Sequence, residues 1–417
     1  MKKLIIIALI SFSLPFGNTS NGGAFAQTMV NYGSLIYMAN NDTIFVNGGV
    51  FNFKDTVPGG GPGTFRNSGQ VYVTGDWTNS SGGPAFTSTN GNTTTNSTID
   101  FHMVGGTQKI QGTSVTEFYK LDLEGTGTGA KSLTGIDAKI EEQLNLNDRE
   151  LATGPNTAFV SNTSTTSVTR STGYVSSGDL GSLARSTAGS QPYLFPVGAS
   201  TRYRPVEITP DNASVNDYAV GMIAGDPSVN GFPVTQKEAN ISTVNQTFYY
   251  QIRRPTGSAP ATITMFYDDI DGKFAGMGHW QNQPQWEDIT AAPSAGNYGL
   301  ARAMSKQGWD FSNPSPAFAL IKLLNECGEM FVPTAFSPDN NGENDIELVY
   351  GKCIQKIYFA IYDRWGEKVF ETTDPTKGWD GVYKGAEMNT GVFVYYLQAT
   401  LTTGEEVTKK GNISLFR

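Results

Sequence analysis

The chain is poor in cysteine, histidine and charge. Among 417 residues there are 2 Cys and 2 His, and charged residues make up 16%, below the usual quarter or so of a soluble protein. The histidines, His102 and His279, are far apart, and neither a His-x-x-x-His nor a Cys-x-x-Cys spacing occurs. The sequence therefore does not predict a zinc site. A net charge of -9 argues against general attraction to a phosphate backbone, so we expect no nucleic-acid partner.

Motifs of catalysis are also scarce. The Gly-x-Ser-x-Gly elbow of serine hydrolases does not occur, and the Gly-rich stretch 125–132 has Ala130 where a phosphate loop has glycine before the lysine. Paired acids for glycoside cleavage remain an alternative, but nothing in the sequence selects a pair among the candidates Glu207, Asp211, Asp217 and Asp226. We therefore expect a protein that is not an enzyme.

The chain is rich in glycine and in short runs of strand-forming residues. It has 48 Gly and 20 Pro, and strand-length runs rich in β-branched and aromatic residues alternate with Gly, Asn and Ser turns. We predict an all-β protein with three regions after its leader. Residues 27–155 form a solenoid-like region or a meander, 156–323 a β-sandwich passenger domain, and 324–417 a C-terminal sandwich. Residues 137–150 fit either a helix or a strand.

The first 26 residues have the pattern of a secretory signal peptide. Lys2 and Lys3 precede an apolar run over residues 4–16, and Ala24 and Ala26 place small residues before a cleavage site ahead of Gln27. The apolar run is shorter than the roughly 20 residues that span a bilayer. We therefore predict residues 1–26 as a signal peptide and no transmembrane segment after cleavage.

Cys327 and Cys353 lie close together in the C-terminal region. In an exported protein an even number of cysteines favours a disulfide, so we predict that these two are bonded. The alternative is two free thiols, each buried as a small hydrophobic side chain.

The C-terminal region contains an ordered series of short motifs. They are a Pro-x-Ala-Phe-Ser-Pro opening, an Asn-Gly-rich turn, Arg-Trp-Gly, Trp-Asp-Gly, a Gly-Val-Phe-Val-Tyr strand and a closing arginine, with the key residues Pro333, Phe336, Pro338, Gly342, Asn344, Asp345, Arg364, Trp365, Gly366, Trp379, Asp380, Gly381, Gly391 and Arg417. Together they resemble the gliding motility-associated C-terminal domain, which is the type B sorting domain of type IX secretion substrates. The remainder resembles passenger regions of bacterial surface proteins only weakly.

This resemblance implies a route and a location. It implies an immunoglobulin-like sandwich that the type IX translocon reads after export through the periplasm of a Gram-negative bacterium. It also implies an SprF-like outer-membrane β-barrel as partner and a final position at the cell surface or outside the cell.

Calcium is the one cofactor that the sequence offers. Asp339, Asn341, Glu343 and Asp345 present oxygen atoms at alternate positions, and Asp268, Asp269 and Asp271 form a second acidic turn. The alternative at both turns is that the side chains accept hydrogen bonds from backbone amides, and this is the interpretation that we prefer. No other cofactor is expected.

Together these patterns predict an exported surface protein. We expect a non-enzymatic adhesin or surface-structure component, linked to gliding motility, with an unknown surface or glycan ligand. The alternative is a glycan-binding or polysaccharide-hydrolysing protein that uses the same export route. Trp280 and Trp286 could stack on a sugar, although rings across a hairpin are more often a packing pair.

Overall fold

The computed structural model describes most of the chain after the predicted leader. The described residues are 28–38, 42–56, 58, 60–87, 98–125, 129–178, 180–281, 284–324, 329–402 and 404–417. Within them nearly all regular structure is β-strand, and the helical residues are confined to two 3-10 turns, Pro227–Asn230 and Asp269–Asp271. The all-β prediction is confirmed.

The N-terminal region is a β-solenoid, which decides between the two folds that the sequence left open. Its strands are β1 Met29–Tyr32, β2 Leu35–Met38, β3 Thr43–Val46, β4 Val50–Phe53, β5 Thr64–Val73, β6 Trp77–Ser80, β7 Phe86–Thr87, β8 Thr98–Met103, β9 Gln108–Gly112, β10 Thr116–Leu123, β11 Lys131–Thr134, β12 Ala138–Asn145, β13 Glu150–Ala152, β14 Thr157–Val160, β15 Val168–Thr169, β16 Tyr174–Ser176 and β17 Ser182–Ala188.

The chain passes from one parallel sheet to the other at each coil. The first sheet has the order β1-β4-β6-β9-β11-β13-β16, and the second takes the intervening strands β5, β8, β10, β12, β14 and β17 in the same sequence order. The sheets meet through aromatic side chains. Trp77 from the first sheet contacts Phe65, Phe101 and Phe118 from the second, with ring centroids 5.0 to 6.4 Å apart. The segment 137–150 contributes strand β12, so it forms a strand rather than a helix.

A ladder of buried asparagines runs along the first sheet. Asn31 pairs in register with Asn52, and Asn52 with Asn79. The Nδ2 of Asn31 donates to Asn52 Oδ1 at 3.0 Å, and the Nδ2 of Asn52 donates to Asn79 Oδ1 at 3.2 Å. Stacking identical side chains on successive coils satisfies their polar atoms inside the protein.

The parallel coils continue into antiparallel strands without a break in the sheet. The central strands are β18 Tyr193–Phe195, β19 Gly198–Ala199, β20 Arg202–Tyr203, β21 Val206–Pro210, β22 Val215–Ala224, β23 Ile241–Val244, β24 Phe248–Thr256, β25 Ala261–Tyr267, β26 Gly276–Trp280, β27 Trp286–Asp288, β28 Ala292–Ala295, β29 Arg302–Trp309 and β30 Ala317–Leu323. β17 pairs antiparallel with β22, which leads on to β24, β30, β26 and β27. A separate antiparallel sheet has the order β18-β21-β25-β29-β28. The boundary expected at residue 155 thus falls inside the run of parallel strands.

Leu324–Arg417 forms a second unit with its own core. Its strands are β31 Ala335–Phe336, β32 Ile354–Tyr362, β33 Lys368–Thr372, β34 Val382–Tyr383, β35 Ala386–Glu387, β36 Gly391–Leu401 and β37 Glu406–Leu415. Five of them form a sheet in the order β31-β37-β36-β32-β33, and β34 pairs with β35. Alternate residues of β36, namely Phe393, Tyr395 and Leu397, enter the core.

Candidate functional site

A row of side chains crosses the outer face of the second solenoid sheet. Backbone pairing aligns Tyr72 with His102, His102 with Asp122, and Asp122 with Asn145. Their sequence neighbours on β5, β8 and β10 are fully buried in the core. Because successive residues of a strand face opposite sides of the sheet, the four aligned side chains lie on the side away from the core.

His102 is held between an aromatic ring and two carboxylates. Its ring stacks on Tyr72, with centroids 4.2 Å apart and an interplanar angle of 9°. Its Nδ1 lies 2.8 Å from Glu124 Oε1 and 4.0 Å from Asp122 Oδ2. The side-chain amide of Asn145 donates to the other oxygen of Asp122. One nitrogen and two carboxylate oxygens therefore converge on one point of the surface.

Burial and neighbouring charges shift the pKa values of two residues at this point. Burial raises the pKa of Asp122 above its ordinary value, while the hydrogen bond from Asn145 and the neighbouring His102 act in the opposite direction. The pKa of Tyr72 is raised as well, first by burial and then by the negative charge of Glu124.

The sequence did not predict this cluster because its members are separated by about one coil of the solenoid. His102 and Glu124 are 22 residues apart, and the coil length varies along the chain. An alignment of coils by their buried residues would have found it. Placing Met103 opposite Leu123 puts His102 opposite Asp122.

His279 and the two tryptophans beside it are core residues. Burial lowers the pKa of His279 to about 4, and its Nε2 lies 2.9 Å from the carbonyl oxygen of Ser315. Trp280 and Trp286 are 8% and 0% exposed, and their rings pack edge to face with centroids 5.7 Å apart. They form a packing pair and offer no open platform for a sugar.

The Gly-rich stretch before Lys131 does not present its lysine to solvent. Lys131 Nζ donates to the carbonyl oxygens of Gly105 at 2.5 Å and Gly106 at 2.9 Å, and to Gln108 Oε1 at 2.6 Å. Burial, with help from the charge of Arg149, lowers the pKa of Lys131 to about 8. The lysine ties one coil to the previous one.

Three of the four acids that could have formed a catalytic pair have separate partners. Glu207 accepts from the Tyr298 hydroxyl at 2.6 Å, and Asp217 accepts from the Ser186 hydroxyl at 2.6 Å. Asp226 caps the 3-10 turn Pro227–Asn230, and Asp211 is exposed. None of these contacts joins one of the four to another.

An open groove of about 540 Å³ lies beside β24 in the central region. Arg253, Arg254, Phe311 and Asn313 are among its lining residues, and no carboxylate is among the described residues that line it. The guanidinium of Arg254 lies 5.2 Å from the ring centroid of Phe311. The groove is therefore lined by cationic and aromatic side chains.

The acidic turn at 268–271 is occupied by protein partners. Asp268 and Asp271 cap each other's backbone amides in a reciprocal box. Asp271 also forms a two-pronged ion pair with the buried Arg204, and Asp269 pairs with Arg302.

The turn at 339–345 uses its side chains in the same way. Asp345 accepts from the amides of Asn340 at 2.7 Å and Gly342 at 2.8 Å. Asp339 accepts from the amide of Asn341 at 3.1 Å, and the side-chain oxygen of Asn341 accepts from the amide of Glu343 at 2.7 Å. These contacts fit the Asx-turn interpretation that we preferred at both turns.

The opening motif of the C-terminal unit is joined to its last strand. Phe336 on β31 pairs in parallel with Leu415 on β37, and the amide of Phe416 donates to the Phe336 carbonyl at 3.0 Å. The buried ring of Phe336 lies 5.4 Å from that of Trp379. Pro333 and Pro338, which flank β31, are half-buried.

The two tryptophans of the motif series have opposite environments. Trp379 is 1% exposed, packs on Phe393 at 4.8 Å, and donates from Nε1 to the Val382 carbonyl at 3.0 Å. Trp365 is 80% exposed at the turn between β32 and β33. The guanidinium of Arg364 lies 5.1 Å from the Trp365 ring centroid. The first ring fills a core, and the second is displayed on the surface.

The turns that follow Trp365 and Trp379 each need a glycine for their shape. Gly366 has φ 83° after Trp365, and Gly381 has φ 75° after Asp380. A Cβ on Gly381 would lie 2.8 Å from Leu415 Cδ1. Asp380 accepts from the Val382 amide at 3.0 Å, which fixes the turn.

Arg417 binds this turn from the end of the chain. Its Nη2 donates to the Gly381 carbonyl at 3.2 Å, and its Nε donates to the Met388 carbonyl at 2.9 Å. Its Nη1 lies 3.0 Å from a carboxylate oxygen of Glu387. Gly391 begins the following strand β36.

A comparison with protein families identifies this unit. Residues 330–415 match the family model described as CHU_C Type IX secretion signal domain. The chain carries a type IX secretion signal domain. The family resemblance predicted from the motif series is thereby confirmed. No curated protein matches the chain.

The signal domain makes the secretion machinery a partner of this protein and implies export to the cell surface or the extracellular space. Within the described residues no helix is long and apolar enough to cross a membrane.

A buried carboxyl lies in the core of the signal domain. Glu347 is fully buried, and neither of its carboxyl oxygens has a hydrogen-bond partner among the described residues. Burial raises its pKa to about 8. No sequence pattern pointed to this residue, because a single Glu in a polar stretch looks like a surface side chain.

Two remaining predictions depend on residues outside the described ranges. Cys353 packs at the edge of the signal-domain core, but Cys327 lies outside the described residues, so the disulfide stays a prediction. Ala24, Ala26 and Gln27 of the predicted cleavage site also lie outside them.

Proposed function

We propose that residues 28–323 are the non-enzymatic passenger of an exported surface protein and that they act as an adhesin or surface-structure component, linked to gliding motility. The observation that supports this is the outer face of the solenoid, where polar and aromatic side chains are aligned from coil to coil. Such a surface, built from successive coils, presents polar and aromatic side chains side by side to a neighbouring surface.

We propose as well that the protein is not an enzyme. Both histidines have partners within the protein, as do the candidate acids Glu207, Asp217 and Asp226. The central groove is lined by arginine and aromatic residues. The groove favours glycan binding, with stacking on Phe311 and hydrogen bonds from arginine, as the second candidate function.

We further propose the route in detail. A signal peptide cleaved before Gln27 brings the chain to the periplasm, where the signal domain is presented to the translocon and an SprF-like outer-membrane β-barrel. We also propose that the central region is a β-sandwich and that the signal domain is an immunoglobulin-like one. Their antiparallel pairing and alternating burial support this.

Deletion of residues 324–417 tests the route. We expect the truncated protein to accumulate in the periplasm, whereas the full chain reaches the surface, as measured by fractionation and by protease accessibility on intact cells. Normal surface display of the truncated protein would contradict the proposed route.

The passenger role needs a separate measurement. A strain without the protein should attach and spread less on a surface, and the full chain should restore both. If attachment is unchanged while polysaccharide turnover is lost, the hydrolase alternative replaces the adhesin. Arg254→Ala distinguishes the glycan-binding candidate, because it should weaken polysaccharide binding and leave display unchanged.

A further inference from the structure

The cluster of His102, Asp122 and Glu124 on the solenoid has no assigned role. One ligand atom from each residue lies within 4.8 Å of the other two. Donor atoms on a metal with bonds of about 2.0 to 2.2 Å are separated by roughly 3 to 4 Å, so small side-chain rotations bring all three onto one ion.

The backbone positions the ligands before any ion binds. His102 and Asp122 are register partners on the adjacent parallel strands β8 and β10. Glu124 follows two residues after Asp122, so alternation places it on the same side of the sheet. The amide of Glu124 donates to the Met103 carbonyl at 2.9 Å, which extends the pairing to this position.

Neighbouring side chains hold two of the ligands in place. The ring of Tyr72 stacks on the His102 ring, and the Asn145 amide binds Asp122 Oδ1 and leaves Oδ2 facing the histidine. Thr169 in turn donates to Asn145 Oδ1 at 2.5 Å. Metal ligands in proteins are oriented by such outer contacts.

The orientation of the His102 ring is a further observation. His102 is 9% exposed, and its Nε2 is buried with no hydrogen-bond partner among the described residues. Here Nδ1 is the ring atom with polar neighbours, and it is aimed at the two carboxylates.

The two carboxylates of the cluster favour a bound cation. Two carboxylates face one imidazole, and Lys120 on the same face lies 3.7 Å from a different carboxylate, Asp100. An imidazole nitrogen with two carboxylate oxygens suits Zn²⁺ and similar divalent transition metals, whereas Ca²⁺ and Mg²⁺ prefer oxygen ligands alone.

We propose that His102, Asp122 and Glu124 form a binding site for one divalent transition-metal ion, with Zn²⁺ as the fitting ion, on the outer face of the solenoid. Three protein ligands leave at least one coordination position for water or for a group from another molecule. The proposal does not depend on the adhesin function.

The test is a calorimetric titration of the metal-stripped, untagged full chain with Zn²⁺ at pH 7. We expect about one equivalent to bind with a dissociation constant in the micromolar range or tighter. Glu124→Gln should weaken binding at least about tenfold. His102→Phe keeps an aromatic ring beside Tyr72 and should weaken it at least as much.

Asp100→Asn is the matched control, because it removes a carboxylate from the same face but outside the cluster. It should change the affinity less than about threefold. Co²⁺ in place of Zn²⁺ should give visible absorption bands in the wild type and not in His102→Phe. Thermal melting checks that each variant is folded.

Two results would overturn the proposal. One is a wild-type Zn²⁺ affinity no tighter than that of Glu124→Gln in folded protein, which would leave the contact between His102 and Glu124 as a structural hydrogen bond. The other is equal weakening by Asp100→Asn, which would reduce the effect to general surface charge.

Discussion

Glu347 and Trp379 exchange two backbone hydrogen bonds, of 2.8 and 3.0 Å, and this bridge carries an acidic side chain into the core of the signal domain. With its pKa raised to about 8, the carboxyl of Glu347 is mostly protonated at neutral pH in the folded protein. In the unfolded chain it ionises near the ordinary value of 4.5. Folding of this domain is therefore coupled to proton uptake.

The first prediction concerns this carboxyl. Because the folded pKa lies above the unfolded one, the stabilising contribution is complete below about pH 4.5 and is lost as the pH rises through about 8. Between pH 5 and 9 the free energy of unfolding of the signal domain should fall by roughly 3 to 5 kcal/mol. Glu347→Gln should remove this fall and make the domain more stable than the wild type at pH 9.

The fall in the free energy of unfolding is measured by urea denaturation of the full chain at pH 5 and at pH 9. Hydrogen exchange of peptides from 330–415 serves as the readout. Glu343→Gln is the control, since Glu343 is exposed. Parallel pH curves for wild type and Glu347→Gln would contradict a protonated carboxyl in the core.

The second prediction concerns the asparagine ladder of the solenoid. Asn52 is fully buried, is bonded to Asn31 and Asn79 on either side, and also donates to the Gly63 carbonyl at 2.8 Å. Asn52→Ala leaves several buried polar groups without partners, so it should destabilise the protein by about 2 to 4 kcal/mol. Asn47→Ala, at an exposed position of the same region, should cost less than about 1 kcal/mol.

Urea denaturation followed by circular dichroism compares the two asparagine variants. If both variants shift the urea midpoint equally, the buried ladder contributes no more to stability than a surface hydrogen bond does.

The solenoid shows how far local sequence patterns reach. Alternation of apolar and polar residues predicted the strands and the all-β class, because the alternation involves only residues of the same strand. It did not decide between coils and a meander, because partner residues lie on other coils at unequal distances. Asn31 and Asn52 are 21 residues apart, whereas Asn52 and Asn79 are 27 apart.

The functional residues divide in the same way. The signal domain was predicted because its motifs are short and follow one another in a fixed order along the chain. The cluster around His102 was not, because strand register creates it. Glu347 was missed for a third reason: its burial depends on a bridge to Trp379, 32 positions later, and not on its own neighbours.

The third prediction concerns Cys327 and Cys353. In the oxidising periplasm we expect both in one disulfide, which closes a loop of about 26 residues and adds on the order of 3 to 4 kcal/mol in the chain-entropy estimate. Alkylation under denaturing conditions followed by intact mass spectrometry should show no label without reductant and two labels after reduction. Labelling of both cysteines without reductant would exclude the bond.

The last prediction separates the fold of the signal domain from its recognition. Trp365 and Trp379 belong to neighbouring motifs, but they are 80% and 1% exposed. A large exposed aromatic ring beside an arginine is typical of contact points between proteins. We therefore expect the secretion machinery to contact Trp365.

Trp365→Ala should leave the free energy of unfolding within about 0.5 kcal/mol of the wild type, yet reduce surface delivery several-fold and leave folded protein in the periplasm. Trp379→Ala should cost about 3 to 5 kcal/mol, because it opens a cavity in the core against Phe336 and Phe393. Its loss of delivery should be accompanied by unfolding and proteolysis.

Surface accessibility on intact cells and thermal melting of the purified chains distinguish the two effects. Trp365→Tyr, which keeps an aromatic ring at the turn, should restore most of the delivery. Normal display of Trp365→Ala would show that the machinery reads another face of the domain. Equal destabilisation by both alanine variants would mean that the exposed ring serves the fold after all.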